Sequence, residues 1–225
     1  MKQSEFIQRI KLQAPNLGQT GITDPYLATL LNSGVDEVNL LCKVYKGYTD
    51  FTISADKRVY SLAESAPLYL GADKRGLFFK NTDGDWKKLI PKTEAWLSQK
   101  YQDYLNASSV ALPTYYYLDG DDLGLYPPPS TTTALGARIY HLKKANPMAS
   151  GDHYPFSGSA TEIVALKPLD SAIISFVLWK INPAFGTNTD TDLRERDFIS
   201  ECRKSSAQIK RRPDLSISSD NKART

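Results

Sequence analysis

The chain has 225 residues, a formal net charge of +3, 41% hydrophobic and 24% charged residues. That is a globular composition, long enough for one large domain or two modest ones, and no apolar run reaches the ~18 residues a membrane span requires. The opening MKQSEFIQRIKLQAPN has no uninterrupted apolar segment of the secretory kind, so a soluble product made in the cytosol is expected.

The first elements read as helices. Ser4 can cap a short helix with Phe6, Ile7 and Ile10 on one side, ended by Pro15 and Gly18. Asp24 is placed to cap a second helix, with Pro25 at its first turn, where a missing N–H costs nothing. Leu27, Leu30, Leu31, Val35, Val38, Leu41, Cys42 and Tyr45 recur at spacings of three and four, and Gly47 is the expected stop.

From residue 48 the period changes to two. YTDFTISADKRVYSL alternates on both sides of a polar link and predicts a hairpin. GLFFKNTDGDWKKLI predicts another, with Asp83-Gly84 supplying the turn. Thr93 can cap a helix carrying Leu97, Tyr101, Tyr104 and Leu105 on one face. Tyr115–Leu118 and Leu123–Tyr126 read as strands around the tight turn DGDD, closed by Pro127–Pro129, which cannot continue a paired strand. Ala137–Leu142 returns as a strand, and 145–161 is turn-rich, a linker or exposed loop.

Helix resumes at Pro168. It is apolar nearly all round (Leu169, Ala172, Ile173, Ile174, Phe176, Val177, Leu178, Ile181), which marks a buried helix, and Asn182-Pro183 stops it. The last helix begins near Thr189–Asp192 and carries Phe198, Cys202 and Ile209 on a narrow stripe, with Pro213 as its end. The expected class is therefore α+β. Residues 1–47 and 161–212 form a discontinuous α-helical bundle, 48–148 a central β-rich insertion, 149–160 a linker and 213–225 an extended C-terminal tail. Helices remote in sequence must meet because none can bury its apolar stripe alone.

Charge is uneven. Arg203–Thr225 carries +5 and the remainder −2, a basic end suited to an acidic surface or to nucleic acid. Lys204, Lys210, Arg211 and Arg212 are the candidate contacts. Tyr115, Tyr116 and Tyr117 have neutral or acidic flanks instead of the basic ones a strand-stacking platform needs. Tyr115, Tyr117 and Tyr126 are therefore candidates for packing within the insertion or against a neighbouring copy.

Reactive chemistry finds little support. Neither His141 nor His153 accompanies a nucleophile-elbow pattern, and no phosphate-cradling glycine motif occurs. The pairs and triplets Asp83/Asp85, Asp119/Asp121/Asp122 and Asp190/Asp192 fall on turns and a helix start, where backbone reasons suffice. Cys42 and Cys202, both on predicted helices, read as buried free thiols. No catalytic residue, metal site or cofactor is assigned. A β-type module binding sugar or peptide, and a metal-dependent hydrolase using the aspartates with His141 or His153, are the rival readings.

Several segments in order carry a resemblance: GITDPYLATLLNSGVDEVNLL, FTISADKRVYSL, PTYYYLDGDDLGLYPPP, ARIYHLKKANPM, then an apolar helix. The chain resembles the head-to-tail adaptor (connector) proteins of tailed bacteriophages. It departs from their commonest pattern in the polar link STTTALG and in its basic C-terminus. The resemblance implies a non-enzymatic virion protein of the neck, assembled in the host bacterial cytoplasm. It also implies a homo-oligomeric ring, twelve copies as a rule, docked under the portal protein and followed by tail or nozzle proteins. Genomic DNA would pass through the lumen without sequence-specific contact.

Overall fold

A computed structural model of the chain describes residues 1–101, 104, 110–182 and 188–211. They form a mixed α+β structure with two four-stranded sheets. Two compact units result, one of Met1–Tyr45 with the described part of Lys144–Thr225, the other of Lys46–Lys143.

In the first unit, helix α1 spans Gln3–Gln13 and buries Phe6 and Ile10. Lys2, not Ser4, is its N-cap. The first-turn donors are met by other means: Gln3 and Ser4 N–H donate to the carbonyls of His153 and Gly151 at 2.9 and 3.0 Å, so no capping hydroxyl is needed. A 3-10 turn, Pro15–Gln19, leads to α2, Asp24–Cys42, whose N-cap is Thr23 while Asp24 is its first helical residue. Leu27, Leu31, Val35, Val38 and Cys42 of α2 are buried, as their spacing predicts. The helix stops before Gly47. Lys43 takes the left-handed conformation (φ 56°), and the Asn39 side chain grips Tyr45, accepting its N–H at 2.8 Å and donating to its carbonyl at 2.9 Å. Side-chain bonds to the backbone thus do the work expected of a glycine.

A 3-10 turn over Val164–Leu169 holds Pro168, and α5 follows from Asp170 to Ile181, buried on nearly every side. Helix α6, Asn188–Lys210, turns Phe198, Cys202 and Ile209 inward. One hydrophobic core draws on α1, α2, α5 and α6, so helices from both halves of the sequence share it. A Cβ on Gly34 would lie 2.7 Å from the Phe176 ring, so α2 and α5 approach closely there. The stretch 145–161 is irregular, as its composition requires, yet it is not a loosely exposed loop. Met148 and Phe156 are buried in the same core, and Asn32 and Gln3 hold the Met148 backbone with bonds of 2.8–3.4 Å. Two large apolar side chains among the turn residues outweigh the polar average.

The second unit packs two sheets. Strands β1 (Lys46–Ile53), β8 (Thr133–Lys143), β3 (Tyr69–Lys80) and β4 (Trp86–Lys88) form one, in that spatial order. β2 (Val59–Ser61), β7 (Asp122–Tyr126), β6 (Tyr115–Asp119) and β5 (Ile90–Pro91) form the other. The predicted hairpin of β1 with β2 does not exist. β1 pairs with β8, Tyr48 opposite Tyr140, and β2 pairs with β7. The link between them carries the chain from one sheet to the other, so that Phe51 and Ile53 face Tyr60, Leu123 and Leu125 across a shared core. The β3–β4 hairpin forms as predicted, its Gly84 at φ 90°. So does β6–β7, whose turn places Gly120 at φ 56°. A four-residue helix α3, Leu62–Ser65, follows β2. Helix α4 covers only Glu94–Lys100; Thr93 caps it, its hydroxyl accepting the Trp96 N–H at 3.2 Å. Leu105, expected on that helix, lies outside the described residues, as does Pro183.

Candidate functional site

Of the basic residues proposed for contact, Lys204 and Lys210 lie on α6 and Arg211 follows its end. Lys204 is exposed and bound to Glu201 at 2.8 Å. It lines a polar hollow of about 260 Å³ with Arg9, Gln13, Ser175 and Asp197. Lys210 lines a different hollow, of about 430 Å³ and more apolar, with Leu41, Ile199, Cys202 and Ala207. Arg211 is exposed, its N–H still donating to the Ala207 carbonyl at 3.2 Å. Arg212 and the tail 213–225 lie outside the described residues. The structure therefore brings Lys210 and Arg211 together at the end of α6 and leaves Lys204 in another setting.

The tyrosines lie in one sheet but on two sides of it. Tyr116 enters the core between the sheets, and its hydroxyl would be 2.7 Å from a Cβ on Gly76. Tyr115, Tyr117 and Tyr126 turn the other way, as alternation dictates. Tyr115 stands opposite Tyr126 across β6–β7, and Tyr117 lies over Gly124, the one residue there with no side chain to obstruct it. The rings meet α4 and the following residues: Tyr101 is 4.6 Å from Tyr126, Tyr104 is 5.4 Å from Tyr126, and Trp96 is 5.5 Å from Tyr115. Tyr117 and Tyr126 are only 6% and 9% exposed. Cations stack at the margin, Lys92 at 4.2 Å from the Trp96 ring centre and Arg58 at 4.9 Å from that of Tyr104. Burial first, then the neighbouring Tyr117 hydroxyl, push the Tyr104 hydroxyl far above the usual phenol range. Among the described residues that hydroxyl has no hydrogen-bond partner of good geometry.

A second aromatic group escaped the sequence reading. It lies on the outer face of the β1-β8-β3-β4 sheet. Tyr48 and Tyr140 are 5.7 Å apart, and Phe78 is 5.5 Å from Tyr140. The Arg138 guanidinium lies 4.2 Å from the Tyr48 ring and 4.7 Å from that of Trp86, and binds both oxygens of Asp50 at 2.6 and 2.7 Å. Arg75 covers Tyr140 at 4.1 Å. Cross-strand register alone builds this group: Asp50, Phe78 and Tyr48 sit opposite Arg138, Arg138 and Tyr140. These residues come from strands whose pairing is non-local, so no local motif announces them.

The groups weighed for catalysis are accounted for structurally. His141 is 1% exposed. Its Nδ1 is 2.9 Å from the Leu142 carbonyl, which can only accept, so Nδ1 carries the proton and Nε2 accepts from the Thr49 hydroxyl at 3.0 Å. Burial holds it below the usual imidazole range and therefore neutral. His153 Nδ1 accepts the Ala149 N–H at 3.3 Å. Asp83, Asp85, Asp119, Asp121, Asp122 and Asp192 are exposed. Among the described residues no group of three or more His, Cys, Asp or Glu could hold a metal ion. Cys42 and Cys202 are free and buried, the Cys42 thiol donating to the Cys202 carbonyl at 3.3 Å. Among the described residues no helix is long and apolar enough to cross a membrane.

Comparison with curated proteins returned no match. A protein family described as SU10 adaptor protein matches residues 1–215. That span takes in both units and the order of segments on which the resemblance rested. The chain belongs to the SU10 adaptor protein family, a family of bacteriophage head-to-tail adaptors.

Proposed function

We propose that the protein is a neck component that assembles as a ring of twelve copies beneath the portal, extends the DNA exit channel and offers a platform for tail or nozzle proteins. The observation that carries this is the family match over residues 1–215. Each copy would contribute a discontinuous helical bundle and a β-rich insertion. Lys210, Arg211 and Arg212, with Lys204, would meet portal or DNA. Lys210 and Arg211 are exposed where α6 ends, in keeping with that role. Tyr115, Tyr117 and Tyr126 would pack within the insertion or against a neighbouring copy. Such a part works by geometry: heterologous contacts that close by rotation make a ring, and none of its surfaces needs a reacting group.

The test is co-purification with portal-bearing particles. A chain ending at Ile209 is expected to bind the portal at least roughly ten-fold less well, the equivalent of one charge-assisted contact. Unchanged retention would reject the role given to the basic end.

A further inference from the structure

The outer face of the β1-β8-β3-β4 sheet has no part in that assignment, yet it is built like a contact surface. Tyr48, Phe78, Trp86 and Tyr140 are neither buried nor fully exposed. Arg138 and Arg75 are held between rings and carboxylates, Arg75 by Asp73 at 2.8 Å. Side chains fixed before docking lose little conformational entropy, and Tyr, Trp and Arg are the residues enriched in interface centres. The Asp50 carboxylate takes two of the five Arg138 N–H donors and neutralises its charge, which favours a protein over the phosphates of a nucleic acid. Lys80 and Lys88 lie on the same face and make no ion pair among the described residues. Asp83 and Asp85 sit beyond it, in the β3–β4 turn.

The matching surface is on the same chain. Asp119, Asp121 and Asp122 crowd the β6–β7 turn, exposed and without an ion pair among the described residues. Asp119 and Asp122 stand directly opposite each other, a like-charge pair that weakens a hairpin. A nearby cation would relieve it. One copy cannot supply that cation from the aromatic face. The β6–β7 sheet packs against the inner side of β1-β8-β3-β4, and the lysines are on the outer side.

We propose that this outer face is an interface between copies, and that it receives the acidic β6–β7 turn of the next copy. Asp119, Asp121 and Asp122 would meet Lys80 and Lys88 at the rim of the aromatic–arginine plate. The contact joins two different patches, so it propagates head to tail, and it rests on the ring proposed above.

Native mass measurement of the protein on portal rings tests it, using the reversals K80E/K88E and D119K/D121K/D122K. Either alone is expected to cut ring occupancy at least ten-fold. Both in one chain, or an equal mixture of the two proteins, should restore it, because each altered patch again meets an opposite charge. Either reversal assembling like the wild type, or loss of DNA retention with rings intact, would overturn the proposal. Melting curves check that each variant folds. Independently, K88C/D121C should cross-link copies to one another on oxidation within the ring; rings without cross-links also overturn it. If wild-type protein forms no multi-copy ring on the portal, the ring itself fails; if it does and the reversals are silent, only this interface fails.

Discussion

The second unit holds two aromatic groups of similar composition and opposite character. Around Tyr117 and Tyr126, rings pack against rings and are shut away from water. Around Arg138, rings alternate with guanidinium and carboxylate groups and stay half open to water. The difference comes from what covers each group. Tyr117 lies flat on Gly124, and Leu97, Tyr101 and Tyr104 close over it and Tyr126; Tyr48 and Tyr140 face each other on a sheet face that stays partly open. The first arrangement builds a core, and the second leaves a surface that can be covered.

The most severe way to break the first group is Gly124→Ala. The added Cβ would come within 1.9 Å of the Tyr117 ring, closer than any contact can be. Tyr117 would have to leave a site walled by Leu97, Tyr104 and Tyr126. The expected cost is about 3 kcal/mol, at the upper end for overpacking, read from urea unfolding. Tyr48→Ala in the second group should cost roughly 1 kcal/mol or less, since its ring is partly hydrated already. Equal costs would mean that the two groups do not differ as described.

Acid should separate them next. His141, on the inner side of β8, is held neutral by burial, so the unfolded chain takes up a proton before the folded one does. Stability therefore falls as pH drops through the ordinary value of 6.5, by at most about 1.4 kcal/mol per pH unit for one proton. Asp73 adds a second step. Burial alone would raise its carboxyl, but hydrogen bonds from Lys46 and then Arg75 outweigh that and hold it well below the usual range. Its contribution is present above 3.8 and is lost as pH falls below. Both groups belong to the sheet that carries Trp86; the ring cluster carries Trp96. With one tryptophan kept at a time, Trp86 fluorescence should respond to acid before that of Trp96. Coincident transitions would show that the unit opens as a whole.

How much of this could be read from residues alone follows the reach of each interaction. Local signals worked. Thr93 caps α4, Asp83-Gly84 and the DGDD turn close hairpins, and the all-round apolar run of α5 is buried. Phe198, Cys202 and Ile209 form the inward stripe of α6. What failed depends on partners far away in sequence. β1 looked like half of a hairpin because alternation tells which side is apolar and not which strand lies alongside. Gly47 looked like a helix stop because the Asn39 clasp on Tyr45 has no compositional signature. Of the candidate contacts, the tyrosines stood out as a run. Arg138, Tyr48, Phe78 and Trp86 did not, since Arg138 is 88 positions from its β1 partner Asp50 and only the sheet register unites them.

The smallest test probes the one flaw in the buried group. Tyr104 is 1% exposed and its hydroxyl has no hydrogen-bond partner among the described residues, with Arg58 stacked on the ring instead of bonded to the oxygen. A buried hydroxyl without a partner has lost water and gained nothing, whereas the ring still fills its site. Tyr104→Phe removes the oxygen and keeps the ring contacts at 5.4 Å to Tyr126 and 6.3 Å to Tyr117. It should leave stability unchanged or raise it by about 1 kcal/mol, measured as a higher urea midpoint with the slope unaltered. The same deletion at Tyr60, whose hydroxyl accepts from Ser54 N–H at 3.1 Å and donates to backbone carbonyls, should instead lower stability by about 1 kcal/mol. Loss of stability at Tyr104 comparable to that at Tyr60 would mean that its oxygen is bonded, and that the ring cluster is held by polar contacts as the arginine face is.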